Sequence, residues 1–376
     1  MLTVVVFILI LSILVMLHEL GHFIAAKRAG IGVEEFGFGL PPRIWGKKIG
    51  ETIYSINWLP FGGFVKLVGE DDAGPDKNKK LKDEEKSRNF AYKSLPIRMR
   101  VVLAGVFMNL VLAVLIFYVV LISLGFKVSV PLIVDHKFAF ANQSKQVLVT
   151  DVAADSAAAK AGLNSGESIV SAANVQIGSI EQLQVVIRSN ENKEVQLVLE
   201  NPTNNKQRTV SVVPVHSDQL NAPAIGVGLD ELVVLNYKTP MQKLFSGITY
   251  SYNTVVYSGK IFGRLIGYSI AHHDITPVKE GVSGPVGIAK LTGEAISLGP
   301  ISVLQLMALL SLNLAVINVL PIPALDGGRF FFLVVEAVIR RRVYPQVEKW
   351  AHTIGFAVLI GLIVLVTFND ILKLLH

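Results

Sequence analysis

The sequence predicts an α-helical polytopic membrane protein with about four transmembrane helices, a membrane-associated β-rich loop and an inserted extracytoplasmic α+β domain. Three observations predict it. Of the 376 residues, 51% are hydrophobic and only 17% are charged, against roughly 25% charged in soluble chains. Apolar segments near the length of about 20 residues that a spanning helix needs recur along the chain. Between them lies a long, more polar insert of short alternating runs punctuated by Gly, Asn and Ser.

Four segments carry the spans. Residues 2–26, 101–124 and 353–375 are continuous apolar runs, and residues 303–325 are apolar but contain Asn313, Asn318, Pro321 and Pro323. The first run lacks the basic start and the small-residue cleavage site of a signal peptide, so it is read as a span. Lys27 and Arg28 follow it, Arg98 and Arg100 precede the second run, and Arg340, Arg341 and Arg342 lie between the third and fourth. The positive-inside rule puts all three basic clusters in the cytoplasm, with both termini and residues 126–300 outside. The expected organisation is 1–125 for the first two spans, 146–215 for the inserted domain, 239–300 for an amphipathic helical connector and 301–376 for the last two spans.

Composition limits the chemistry. Cysteine is absent, which excludes disulfides and thiolate ligands, so any transition-metal site must use His, Asp or Glu. The net charge is +6, but the basic residues flank apolar segments instead of forming a basic domain. A lipid bilayer, not nucleic acid, is therefore the expected partner.

Between the first two spans, residues 32–69 contain short extended runs broken by Gly and Pro: Phe36 to Gly39, Thr52 to Ile56 and Phe64 to Val68. Two to four strands with tight turns are expected. The stretch is too apolar for an ordinary cytoplasmic loop. It fits a β-rich loop dipping toward the bilayer, or a small soluble β-subdomain. Residues 71–93 form a mixed charge run, read as a solvated, mobile loop. Within 146–215, strands are expected at 147–149, 168–172, 195–200 and 209–213, with a short helix over 155–163 and a longer one over 179–189. From 239 to 270, apolar residues such as Leu244, Ile248, Tyr252 and Val255 recur at helical spacing. An amphipathic helix lying on the outer membrane surface fits, as does one packed on the extracytoplasmic domain.

The first span carries the chemistry. His18-Glu19-Leu20-Gly21-His22 places two histidines at i and i+4, on one helix face. That spacing suits the grip of one zinc ion, with Glu19 as general base on a water whose pKa zinc can bring down to about 7. A chance H-E-x-x-H on a polar helix is common. Inside a spanning helix, each charged residue costs about 2.5 kcal/mol or more, and such residues are functional by default. Catalytic zinc needs a third protein ligand. His272 and His273 fall in the extracytoplasmic stretch, and His352 lies past the cytoplasmic arginines. Asp326 is the strongest candidate: it follows Asn318 and two helix-breaking prolines, and an acid at that depth needs a partner. An N-cap role for Asp326 at the start of a short helix is the plainer alternative.

Two resemblances follow from these motifs. The run S-A-A-A-K-A-G-L-N-S-G-E-S-I-V, residues 156–170, resembles the core of a bacterial PDZ domain, which makes the insert a PDZ-like α+β domain. PDZ domains take an extended peptide as an added strand. With H-E-L-G-H in the first span and L-P-I-P-A-L-D-G-G-R in the third, the order of motifs resembles the site-2 protease family and its bacterial envelope-stress branch, over nearly the whole chain. The resemblance implies His18, His22 and Asp326 as ligands of Zn2+ and Glu19 as catalytic base. It implies substrate binding by Asn318 and Pro321, a G-x-x-x-N packing motif at Gly105 and Asn109, a familiar stretch at Ser283 to Gly287, and a β-rich loop that receives substrate. Two departures stand out: that branch carries two tandem PDZ domains where one is seen here, and Val106 stands where proline is common.

The expected function is intramembrane zinc metalloproteolysis of single-span membrane proteins, in the manner of anti-sigma factors or signal-peptide remnants. The expected location is a bacterial inner membrane, with the active site toward the cytoplasm and the PDZ-like domain open to a peptide ligand. Two other classes compete: an inactive membrane adaptor presenting its PDZ-like domain, and a transporter with broken spans. Metal content and dependence on Glu19 separate the three.

Overall fold

A computed structural model describes residues 1–70, 82–201, 206–217 and 221–375. They form two compact units, Met1–Phe117 with Arg264–His376, and Tyr118–Gly263.

Helix α1, Leu2–Arg28, has no proline and ends in Lys27 and Arg28, whose charges suit the negative end of the helix dipole. At about 1.5 Å per residue it exceeds the roughly 30 Å of a bilayer core. Two long strands follow, β1 Val33–Ile49 and β2 Thr52–Leu67, joined at Gly50, whose φ of +65° is available to glycine without strain. Both strands bend back on themselves. The segment Glu35 to Phe38 therefore has partners on both sides, Ile53 to Ile56 on one and Lys66 to Gly63 on the other. Four strand segments thus arise from two strands, within the two to four expected. Ser12 Oγ donates to the Pro60 carbonyl at 3.0 Å and holds the hairpin against α1. Ile44, Trp45, Ile49 and Trp58 are exposed on it, a surface suited to lipid and costly in water.

Residues 71–81, the first part of the expected charged loop, lie outside the described residues. After them come α2, Asp83–Arg88, and a 3-10 turn at Phe90–Tyr92. Helix α3 runs Leu95–Ser123, six residues earlier at its start than the apolar run at 101. It crosses α1 at small residues: a Cβ on Gly21 would fall 3.0 Å from the Gly105 Cα. Close helix crossings through Gly and Ala are the membrane solution to packing without a hydrophobic drive.

The second unit is built on one sheet. Its strands are β3 Lys127–Pro131, β4 Asn142–Val152, β5 Ser168–Ala172, β6 Val175–Gln176, β7 Val195–Glu200 and β8 Gln207–Val212, followed by β9 Val215–Ser217, β10 Ala222–Ala224 and β11 Val227–Asn236. The sheet order is β3-β11-β4-β5-β7-β8, with β6 on β5, while β9 and β10 pair separately. Its sheet takes in β3 and β11, beyond the 146–215 stretch. Helices α4, Ala157–Lys160, and α5, Ile180–Ser189, complete it; α5 is capped by Ser179, which accepts from the Gln182 N–H, and buries Leu183 and Ile187. Val147, Val149, Ile169, Leu197 and Leu199 form its core. The turn between β5 and β6 uses Ala173 and Asn174, both at positive φ, as a two-residue hairpin turn requires. Helix α6, Pro240–His272, leaves this unit.

One ion pair in this unit has a testable sign. The Arg208 guanidinium donates to Glu167 from Nε at 2.7 Å and from Nη2 at 2.6 Å, a two-point fork. That fork holds the Glu167 carboxyl below the usual carboxylate range. A depressed native pKa contributes stability above the unfolded value and loses it as pH falls through the native value. Arg208→Ala should therefore cost about 0.5–1 kcal/mol near neutral pH, discounted for the partly exposed arginine, and less once acid has protonated Glu167, when only its bond to the Gly162 carbonyl is left to lose. Hydrogen exchange of the β5 and β7 amides in the full chain, compared across pH, checks this.

The chain returns to the first unit through α7 Thr276–Gly281, α8 Pro285–Leu298 and α9 Pro300–Val319, then α10 Asp326–Ile339 and α11 Pro345–Leu375. Helix α9 stops before the apolar run does, because Pro321 and Pro323 cannot donate to a helix. The stretch Ser283 to Gly287 has a structural use: Asp370 of α11 accepts the Gly287 N–H at 2.7 Å, and Lys373 Nζ donates to the Lys279 carbonyl at 3.0 Å. Side chains at Gly284 and Gly287 would crowd that carboxylate, at 2.9 and 3.1 Å. Among the described residues, four helices are long and apolar enough to cross a membrane: α1, α3, α9 and α11.

Candidate metal centre

Three side chains converge in the first unit. One turn of α1 separates His18 from His22, and their Nε2 atoms lie 3.2 Å apart. Asp326, the first residue of α10, sends Oδ2 to within 3.0 Å of His18 Nε2 and 3.2 Å of His22 Nε2. The N-cap position of α10 belongs to Leu325 and makes no side-chain cap, so the capping alternative for Asp326 gives way to the histidine contacts. Both histidines are buried. Among the described residues this trio is the one group of three with ligand atoms close enough to share an ion. His272 and His273 are exposed at the end of α6, and His272 stacks on Tyr268.

Hydrogen bonds from the outer side fix how the rings face. His22 Nδ1 lies 2.8 Å from the Val101 carbonyl, which can only accept, so the Nδ1 proton is committed there and the Nε2 lone pair points inward. His18 Nδ1 lies 3.3 Å from the Asn109 amide. Asn109 Oδ1 is buried without a donor. A half turn of that amide, which the hydrogen-bond pattern assigns, gives Oδ1 the His18 Nδ1 proton. Two imidazole lone pairs and a carboxylate oxygen then face one another, and Asp326 Oδ2 has no hydrogen-bond donor. Such a cluster of acceptors is satisfied by a cation. The hard and borderline donors, two nitrogens and one oxygen, suit zinc and leave a position open for chemistry.

The space for this cluster comes from a glycine. A Cβ on Gly105 would lie 2.8 Å from His18 Nε2. The G-x-x-x-N motif of α3 thus faces the site with both of its named residues, an outcome that spacing alone could not give.

Glu19 stands beside the three ligands and outside their cluster. Its Oε2 accepts the Val65 N–H at 3.1 Å, which ties it to strand β2. It lines a cavity of about 250 Å³ with His18, Asn109, Asn318, Ala324 and Asp326. Asn318 is among the residues lining that cavity. Pro321 lies on the exposed side of the bend and is not among the lining residues. Val65, whose contact is through its backbone, leaves no mark in the sequence, nor does the Asn109 contact with a histidine 91 positions away.

Comparison with known proteins points to a family. The family model of peptidase family M50 matches residues 6–362. A Clostridium perfringens protein named for zinc metalloprotease activity is 33% identical over 361 residues, covering 96% of each chain. The regulator of sigma-W protease RasP of Bacillus subtilis is 29% identical, with 99% of each chain covered. A solved PDZ domain of an SdrC-like protein from Listeria monocytogenes matches 22% of this chain and 85% of its own, at 23% identity and a TM-score of 0.20.

Proposed function

This chain belongs to peptidase family M50 and is a zinc metalloprotease of the site-2 type, and from that premise we propose that it cuts single-span membrane proteins within their transmembrane segments. The observation that carries the reading is the place of the motif. His18, Glu19 and His22 lie in a helix long and apolar enough to span a bilayer, and Asp326 meets them from a separate element. A protease built there reaches bonds that soluble enzymes cannot.

In this proposal His18, His22 and Asp326 hold Zn2+ and Glu19 is the catalytic base. Held by those three residues, the metal would supply Lewis acidity and a water more easily deprotonated near neutral pH. Glu19 takes the proton from the attacking water and hands it to the leaving amine, which breaks the C–N bond. The Val65 N–H steadies the Glu19 carboxylate for that exchange. Asn318 orients the unwound substrate by side-chain hydrogen bonds, and Pro321 shapes the bend beside it. Unwinding is necessary, because a helical substrate hides its carbonyls in internal hydrogen bonds. The bent hairpin of β1 and β2, which exposes Ile44, Trp45, Ile49 and Trp58, lies at the membrane and offers the substrate an edge to pair with.

The remaining parts follow the same proposal. The basic clusters set both termini and the second unit outside a bacterial inner membrane, with the metal centre toward the cytoplasm. Helix α6 lies on the outer surface. The PDZ-like unit binds a peptide end or holds back untrimmed substrates, and the substrates resemble anti-sigma factors or signal-peptide remnants.

A test uses a tagged single-span reporter in membranes carrying the protein. The products' new ends should map inside the apolar segment, and placing a helix-breaking Pro or Gly pair there should raise cleavage several-fold (roughly the 1–3 kcal/mol that such residues take from a helix). Ends that map only outside the apolar segment would overturn the intramembrane reading.

A further inference from the structure

The bend that delivers Asp326 is held by one side chain from the last span. Between the end of α9 and the start of α10, Pro321 and Pro323 have no N–H to place. Leu320 N–H donates to the Ile317 carbonyl at 3.1 Å, Ile322 N–H to Leu320 at 2.6 Å and Leu325 N–H to Ile322 at 3.2 Å. The Ala324 N–H instead reaches across to the last span, where it donates to His352 Nδ1 of α11 at 2.9 Å. Among the described residues this donor has no other acceptor, so its satisfaction within the protein depends on His352.

Ala324 has a second mark. Its φ is +81°, a left-handed conformation that costs a residue with a Cβ about 1 kcal/mol or more and persists only where the surroundings enforce it. Those surroundings are tight. A Cβ on Gly355, one turn beyond His352, would sit 2.6 Å from the Pro323 carbonyl oxygen, and one on Gly328 would sit 2.9 Å from the Ile322 carbonyl carbon. The bend is thus pressed between α10 and α11, with the imidazole as its polar anchor. Ala324 and Asp326 both line the cavity that holds His18 and Glu19.

We propose that His352 is a positioning residue for the metal centre: by accepting the Ala324 N–H it keeps the 320–325 bend in the conformation that aims the Asp326 carboxylate at His18 and His22. The inference rests on Asp326 being a ligand. His352 itself touches no ligand and acts as a neutral acceptor, its Nδ1 taking the Ala324 N–H and its ring lying against Phe332.

The experiment uses the full chain in lipid nanodiscs. Wild type, His352→Leu, His352→Asn and Asp326→Ala are compared for zinc affinity by chelator competition, for the visible spectrum of the Co2+-substituted protein, and for unfolding of the metal-free protein. His352→Leu should weaken zinc about 10–100-fold, the usual cost of losing an outer-shell partner, and shift the cobalt bands. His352→Asn, whose Oδ1 replaces the Nδ1 acceptor, should stay within about threefold of wild type, far from the loss in the leucine variant. Wild-type affinity and spectrum in His352→Leu would overturn the proposal. So would equal loss in both variants, which would mark ring packing, or a fall in metal-free stability with the cobalt bands unmoved. Unchanged zinc affinity in Asp326→Ala would overturn the ligand assignment and the positioning role with it, and is told apart because that variant leaves His352 intact.

Discussion

Glu19→Gln is expected to lower cleavage of a single-span reporter by about 10²–10⁴-fold, the range that general acid–base catalysis supplies, with zinc content unchanged. The two halves of that expectation have separate grounds. The ligand trio of His18, His22 and Asp326 excludes Glu19, so removing its charge leaves the metal donors in place. The glutamine amide also keeps an acceptor oxygen of the same reach for the Val65 N–H, now at 3.1 Å from Glu19 Oε2. What it cannot do is take a proton from water and return it to the leaving amine. Glu19→Ala removes the hydrogen bond as well and should be at least as inactive. Zinc measured on both variants beside wild type separates loss of base from loss of metal. Equal cleavage by wild type and Glu19→Gln would remove Glu19 from the mechanism. A glutamine variant that has lost its zinc would instead make Glu19 part of the metal's support.

How far the sequence could be read depended on the range of each interaction. The histidine pair was legible because i and i+4 fix a shared face, and because ionisable groups in a span demand a reason. Asp326 stood out through its setting of prolines and asparagine within an apolar run. The strands of the second unit were legible from alternation. The limits of their sheet were not, since β3 pairs with β11 across about a hundred residues and alternation does not name a partner. The same holds for the hairpin: strand-like residues were evident, but not that Phe36 would lie between Tyr54 and Val65. In the site itself, everything outside the ligands was hidden. Asn109 read as helix packing, Val65 acts by its backbone, and His352 read as a polar residue at the start of a span. A polar side chain within an apolar helix was the available signal for His352, and it pointed to a buried partner without saying which.

Gly105→Ala is expected to be as damaging as loss of a ligand, from a residue with no functional group. Adding one methyl to α3 places a carbon 2.8 Å from both Cε1 and Nε2 of His18, and still nearer the Nε2 of His22. Nothing there can give way cheaply. His22 is held by the Val101 carbonyl of the same helix, His18 is flanked by Asn109, and both rings stand on one turn of α1. Either the rings rotate off their shared focus or α3 withdraws from α1. A metal site tolerates displacements of only about 0.5 Å before its geometry is lost. Zinc affinity should fall on the order of 100-fold or more, beyond the 10–100-fold cost of losing an outer-shell partner, and cleavage should fall with it. Gly361→Ala is the control. It lies in α11 with nothing within 4 Å of the added carbon, and should leave zinc and cleavage unchanged. The unfolding of the metal-free protein distinguishes the two routes: rings turned within an intact helix pair leave it near wild type, whereas withdrawal of α3 lowers it together with the zinc. Full zinc loading and wild-type cleavage in Gly105→Ala would mean that α3 yields to the added methyl without disturbing the histidines, and that the small-residue motif serves helix packing alone.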